Sequence, residues 1–181
     1  MALKDNKKII EALTAAYSTE IAGHAFYNAA ADAVGDEKGK NVFRHLAGEE
    51  LEHVAVVSSI AESLKSGAGW MSYEDALKKG RPDASKGLPI FPRDNELIQR
   101  LRKNQTDLNA VNIGLESEEK AVDFYGRLLK EAKEPLEKTL LTKLLEMEKG
   151  HLKMLRWESE SLIKTGFWCG EMEYSVEKET D

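Results

Sequence analysis

Glu50 and His53 form a Glu-x-x-His pair, Glu148 and His151 form a second, and 30 residues before each pair stands a further glutamate, Glu20 and Glu118. Residues three apart on a helix differ by about 60° around the axis and about 4.5 Å along it, so one face can aim a carboxylate and an imidazole at a single cation. A shift of 98 residues superposes the two half-sites and also pairs Phe26-Tyr27 with Phe124-Tyr125, Leu46 with Leu144 and Trp70 with Trp168. One Glu-x-x-His arises easily by chance on a charge-rich helix. Two copies, equally spaced from matching upstream glutamates, read as a duplicated metal site with Glu20, Glu50, His53, Glu118, Glu148 and His151 as its ligands.

Helices must carry these residues. Apolar positions recur with helical period from about residue 6 to 66, interrupted at Gly35-Asp36 and ended by Gly67-Ala-Gly69, which predicts a first helical hairpin. Residues 67–93 hold Pro82, Pro89 and Pro92 with Gly80 and Gly87, so they form a crossover. Within it, Ser72-Tyr-Glu-Asp75 has the form of a helix start and predicts a short helix through Lys79. Asp94-Asn-Glu-Leu97 opens a third long helix continuing through Leu128, and Pro135 opens a fourth running towards Gly166, giving a second hairpin over 94–165. The expectation is an all-α single domain, a ferritin-like four-helix bundle with a long crossover between helices 2 and 3. The tail, 166–181, is expected to cap the bundle or to pack on a partner subunit.

Leu46 and Val57 flank the first Glu-x-x-His on the apolar stripe, and Leu144 and Leu155 flank the second, so the six residues point inward. Ionised glutamates facing a core are costly unless compensated, and two divalent cations would balance four carboxylates. One Glu from each of two helices plus Glu-x-x-His from each of the other two is the ligand set of carboxylate-bridged di-iron and di-manganese bundles. Mixed oxygen and imidazole ligation suits two iron ions, with manganese the alternative, better than a closed zinc site.

Neighbouring residues carry weaker signals. His24 lies one turn after Glu20 but corresponds to Val122, so packing is its first expectation, with a role as extra ligand or hydrogen-bond donor to a ligand as the alternative. Tyr27 and Tyr125, two turns from their glutamates, are expected chiefly to pack, and could also bound the site or bond a carboxylate. His45 is expected to face solvent, and Glu49, Glu52, Glu116, Glu119 and Glu146 to fall off the metal-facing positions, solvated or outside the ligands. Trp70, Trp157 and Trp168 are expected to pack.

Composition excludes other classes. The chain is 41% apolar and 32% charged, with net charge −6 and pI near 5.4, and its Lys and Arg are scattered among acids, which argues against nucleic-acid binding. No run approaches the roughly 18 to 20 apolar residues of a membrane span, and the N-terminal residues lack signal-peptide features, so the expectation is a cytoplasmic protein without membrane association. Cys169 is the one cysteine, which excludes an internal disulfide or a Cys-x-x-Cys site.

At Glu20-x6-Tyr27, Glu50-x-x-His53, Glu118-x6-Tyr125 and Glu148-x-x-His151 the chain resembles the rubrerythrin branch of the ferritin-like superfamily, over most of residues 6 to 165. The resemblance implies a di-iron centre that reduces peroxide or reacts with oxygen, with Glu50 and Glu148 bridging, Glu20 and Glu118 terminal, His53 and His151 as nitrogen ligands, and at least a homodimer. Rubrerythrins proper also carry a rubredoxin-like domain with four iron-binding cysteines, so with Cys169 alone the electrons are expected from a separate donor. They carry a further glutamate one turn after the helix 3 ligand, where Ala121 stands here, which leaves a more symmetric six-ligand site. The leading expectation is a di-iron oxidoreductase. The alternatives are a ferroxidase or iron storage and delivery protein, and a non-enzymatic interaction module stabilised by its metal.

Overall fold

A computed structural model of the chain describes residues 2–79 and 95–170, with side chains from Lys7 onward. Six helices follow in order: α1 (Ala2–Ala33), α2 (Glu37–Lys65), α3 (Tyr73–Lys79), α4 (Glu96–Lys103), α5 (Asp107–Glu131) and α6 (Pro135–Thr165), with no strand among the described residues. α1 packs along α2 and α5 along α6, the two hairpins expected of the all-α bundle. Most of the crossover, residues 80–94, and the tail beyond Gly170 lie outside the described residues.

The helix ends follow from local chemistry. Asp36 caps α2 by accepting the Lys38 backbone N–H at 2.7 Å, filling one of the orphan donors of a first helical turn. Ser72 and Asp75 cap α3 reciprocally, the Asp75 N–H donating to Ser72 Oγ at 3.1 Å and the Ser72 hydroxyl to Asp75 Oδ2 at 2.9 Å. Pro135 occupies the first turn of α6, where its missing N–H costs nothing, and Gly166 ends that helix at φ 78°.

The second hairpin departs from expectation at its start. In place of one helix from Asp94 to Leu128, the chain forms α4 and α5 with a break at Asn104-Gln105-Thr106. Thr106 caps α5 by accepting from the Asn109 N–H at 3.3 Å, and the Asn109 side chain donates to the Asn104 carbonyl at 2.6 Å. These short polar side chains offer the backbone partners that compete with continuing the helix. α4 is capped by Asn95, whose side-chain amide also donates to the Ala22 carbonyl at 2.9 Å and so ties the segment to α1.

Two apolar clusters fill the bundle. One gathers Phe26, Phe43, Leu46, Ile113 and Leu155 with Trp168; the other gathers Leu13, Val57, Ile60, Tyr125, Leu141 and Leu144. On each long helix the metal-ligand candidates fall between residues of the two clusters, as Glu20 does between Leu13 and Phe26 and Glu50 and His53 between Leu46 and Val57. The polar residues thus sit in a layer with apolar packing at both ends.

Candidate metal centre

Four helices deliver six side chains to that layer: Glu20 from α1, Glu50 and His53 from α2, Glu118 from α5, Glu148 and His151 from α6. All six are buried, with exposures between 0 and 3%. They form two overlapping groups, Glu20, Glu50, His53 and Glu148 in one and Glu50, Glu118, Glu148 and His151 in the other, with the ligand-type atoms of each group within 4.8 Å of one another. Glu50 and Glu148 belong to both. His53 Nδ1 lies 2.9 Å from Glu148 Oε1 and 3.6 Å from Glu20 Oε2 and from Glu50 Oε2. His151 Nδ1 lies 3.5 Å from Glu50 Oε1 and Glu118 Oε2 and 3.6 Å from Glu148 Oε2. The two imidazoles stack at 5.4 Å.

Unpartnered atoms test whether this cluster fits a pair of cations. His53 Nδ1, His151 Nδ1, Glu118 Oε2 and both Glu148 oxygens are buried with no hydrogen-bond partner among the described residues. The 2.9 Å approach of His53 to Glu148 is an ion-pair contact off the line of a hydrogen bond. Buried polar atoms are normally satisfied, and each orphan carries a free-energy penalty of about 1 to 3 kcal/mol. Here the orphans come from three helices, α2, α5 and α6, and all belong to the two overlapping groups, and oxygen with imidazole nitrogen is a donor set that iron or manganese accepts. The residues fit a dinuclear metal centre.

The charges divide the cluster in two. Burial first, then the Glu148 and Glu50 carboxylates, push the Glu20 carboxyl well above its ordinary range. Glu118 rises to about 8, by burial and then by the Glu50 charge. Burial also works against ionised Glu50 and Glu148, but the two histidines outweigh it, lowering Glu50 and bringing Glu148 to about 2. The same contacts raise both imidazoles despite their burial. Metal-free, burial thus favours the protonated form of the Glu20 and Glu118 carboxyls, while the imidazoles favour ionised Glu50 and Glu148. A cation bound here would compete with those protons.

A family profile described as Rubrerythrin matches residues 11–158, a span that includes all six residues. The chain belongs to the rubrerythrin family. Searches against curated proteins and solved structures gave no match.

Around the six residues this rubrerythrin-family chain adds partners that spacing alone did not rank. The Tyr27 hydroxyl donates to Glu118 Oε1, and the Tyr125 hydroxyl donates to Glu20 Oε1 at 2.5 Å. Both tyrosines pack in the apolar clusters, as chiefly expected, and each also takes the alternative role, bonding the upstream glutamate of the opposite half and leaving its Oε2 towards the cluster. Burial foremost, and then the neighbouring carboxylates, push both phenols well up, so they stay protonated donors. Gly114 permits the Tyr27 contact, since a Cβ there would lie 3.3 Å from the Tyr27 ring and 3.0 Å from Leu155.

His24 does not join the ligand groups. Its Nδ1 lies 2.6 Å from the Ala47 carbonyl and its Nε2 3.1 Å from the Asn28 amide. His45 is half-buried rather than solvent-facing, with Nε2 3.4 Å from Glu49 Oε2. Glu49 in turn lies 2.7 Å from His151 Nε2, just outside the ligands. Glu116, Glu119 and Glu146 form ion pairs with Arg100, Arg156 and Lys149 at the surface. Ala121, at the position of the family's further glutamate, is a buried methyl group.

Sequence reasoning missed Glu158. It is fully buried on α6 and accepts the backbone N–H groups of Cys169 and Gly170 at 2.9 and 2.7 Å. With Trp168, which donates to Asp107 at 2.7 Å and packs edge-on to Phe43, it fastens residues 167–170 over one end of the bundle. The described part of the tail thus packs on its own bundle. Glu158 sits seven residues after His151, two turns along the same face, which is the one signal that could have placed it inside.

Proposed function

We propose that the chain is a di-iron oxidoreductase that reduces peroxide or oxygen with electrons from a separate donor. The carrying observation is the pair of overlapping four-residue groups that share Glu50 and Glu148. With iron bound, the centre supplies two electrons from adjacent metals, and manganese is the alternative occupant.

The chain's own residues do the rest. Glu50 and Glu148 belong to both groups and would be shared by the two metals. Glu20 and Glu118 serve one position each, held by Tyr125 and Tyr27 through one oxygen. The apolar clusters at both ends of the polar layer limit water around it. These 181 residues hold one cysteine and so no four-cysteine electron relay of their own. The proposal includes a cytoplasmic homodimer; Ile163 and Phe167, 67 and 71% exposed and one turn apart, offer apolar surface to a second copy.

The test is anaerobic loading with Fe(II), metal analysis per chain, and rapid mixing with peroxide or oxygen. Peroxide is expected to oxidise the loaded protein faster than free Fe(II) in the same buffer, and equal rates would end the oxidoreductase proposal. A many-subunit cage with fast oxygen consumption would favour iron storage, and a metal-dependent rise in melting temperature without turnover would favour a structural metal.

A further inference from the structure

We infer that the two metal positions are inequivalent, the one at Glu118 and His151 being the tighter, because Glu49 orients His151 and no described residue does the same for His53. The inference rests on the dinuclear reading of the cluster. His151 Nε2 lies 2.7 Å from Glu49 Oε2, so the ring donates outward to a carboxylate and is held with Nδ1 facing the cluster. A hydrogen bond of this kind fixes the tautomer and orientation of a ligand imidazole and raises its basicity. Glu49 keeps 35% of its side chain exposed and lies 3.4 Å from His45 Nε2, so its charge is partly solvated on the outer side.

The other half lacks this device. The 98-residue shift that matches the ligands carries Glu49 onto Met147, whose thioether is at best a weak acceptor. Met147 packs against the second apolar cluster, and His53 Nε2 is buried without a hydrogen-bond partner among the described residues. In other respects the two positions match: each has one terminal glutamate braced by a tyrosine, one histidine through Nδ1, and the same two shared carboxylates. Among the groups that would meet or directly brace the metals, the difference is the outer partner of one imidazole.

Loss of such outer partners weakens metal binding by about 10- to 100-fold, and a gap of that order is expected between the two positions. The experiment is anaerobic titration of the metal-free full-length protein with Co(II), followed by visible absorption, with total metal counted separately. Wild type is expected to bind in two resolved steps. Glu49→Gln is expected to keep the total and bring the steps together by weakening the tighter one. Combined with His53→Ala, Glu49→Gln should weaken the remaining ion; combined with His151→Ala it should not. Equal steps in wild type, or a Glu49→Gln effect that falls on both positions or neither, would overturn the inference while leaving the dinuclear centre in place. A total far below two ions would instead overturn the dinuclear reading and the inference with it.

Discussion

Under the 98-residue shift, the face of α1 and α2 that lines the cluster overlays that of α5 and α6 at each ligand and at the bracing tyrosines, but the residues one contact further out differ. Glu49 stands against Met147, His24 against Val122, and Gly114 against the buried Ala16. The matching tryptophans differ too: Trp168 is 4% exposed, bonded to Asp107 and seated on Gly39, whereas Trp70 is half-buried against the other apolar cluster. The contrast teaches where a duplicated site is constrained. Charge balance and donor count restrict the ligands themselves, while the next layer need only fill space and satisfy its own polar atoms, so the halves can diverge there and make the two positions chemically distinct.

The shared carboxylates give the sharpest way to break the comparison. Glu148→Ala removes an oxygen pair from both groups and is expected to abolish binding of about two ions per chain, whereas Glu20→Ala, confined to one group, is expected to retain about one. Metal analysis after anaerobic Fe(II) loading checks both.

Protons compete with the metal at each half. Glu118 is raised to about 8 and Glu20 well above its ordinary range, so both hold a proton more readily than a free carboxyl and must release it to bind. Apparent affinity is expected to rise from pH 6 to pH 8, by roughly tenfold per pH unit for each proton released. Metal-free stability runs the other way. A carboxyl whose folded pKa is raised holds its proton more tightly in the fold than in the unfolded chain, so its contribution is fully present below about 4.5 and is lost as pH climbs towards 8. Urea unfolding of the metal-free protein across this range is expected to show falling stability.

The tyrosine braces should be alike. Tyr27→Phe and Tyr125→Phe each strip a buried carboxylate oxygen of its donor and are expected to cost about 1 to 3 kcal/mol by denaturant unfolding. A cost in one half alone would show that the crossed bracing is not shared equally.

At the end sealed by Trp168, a Cβ on Gly39 would meet the indole at 2.5 Å, so Gly39→Ala is expected to destabilise by about 1 to 3 kcal/mol. Gly48→Ala, where a Cβ meets nothing within 4 Å, is expected to stay within about 1 kcal/mol and to favour the helix. Thermal unfolding of the two variants side by side measures the smallest of these contrasts.

The six residues that cluster were legible because each part of the pattern is local. Glu-x-x-His puts two donors on one helical face whatever the helix packs against, and the repeat supplied the second copy. The break between α4 and α5 was concealed because Leu97, Leu101, Leu108 and Val111 keep helical phase across it, so apolar periodicity ran straight through Asn104-Gln105-Thr106. Capping at Thr106 was the available signal.

By itself the sequence determined an all-helical chain, four inward glutamates, two inward histidines and the repeat relating them, since periodicity and i, i+3 spacing are properties of single helices. Only the tertiary structure decided that Tyr27 reaches Glu118 and Tyr125 reaches Glu20, that Glu49 rather than a solvent molecule meets His151, and that Glu158 turns inward to hold residues 169 and 170. Each of those contacts joins residues on different segments and depends on the rotation and axial register of one helix against another to within about an ångström, and that register is set by packing across the whole bundle.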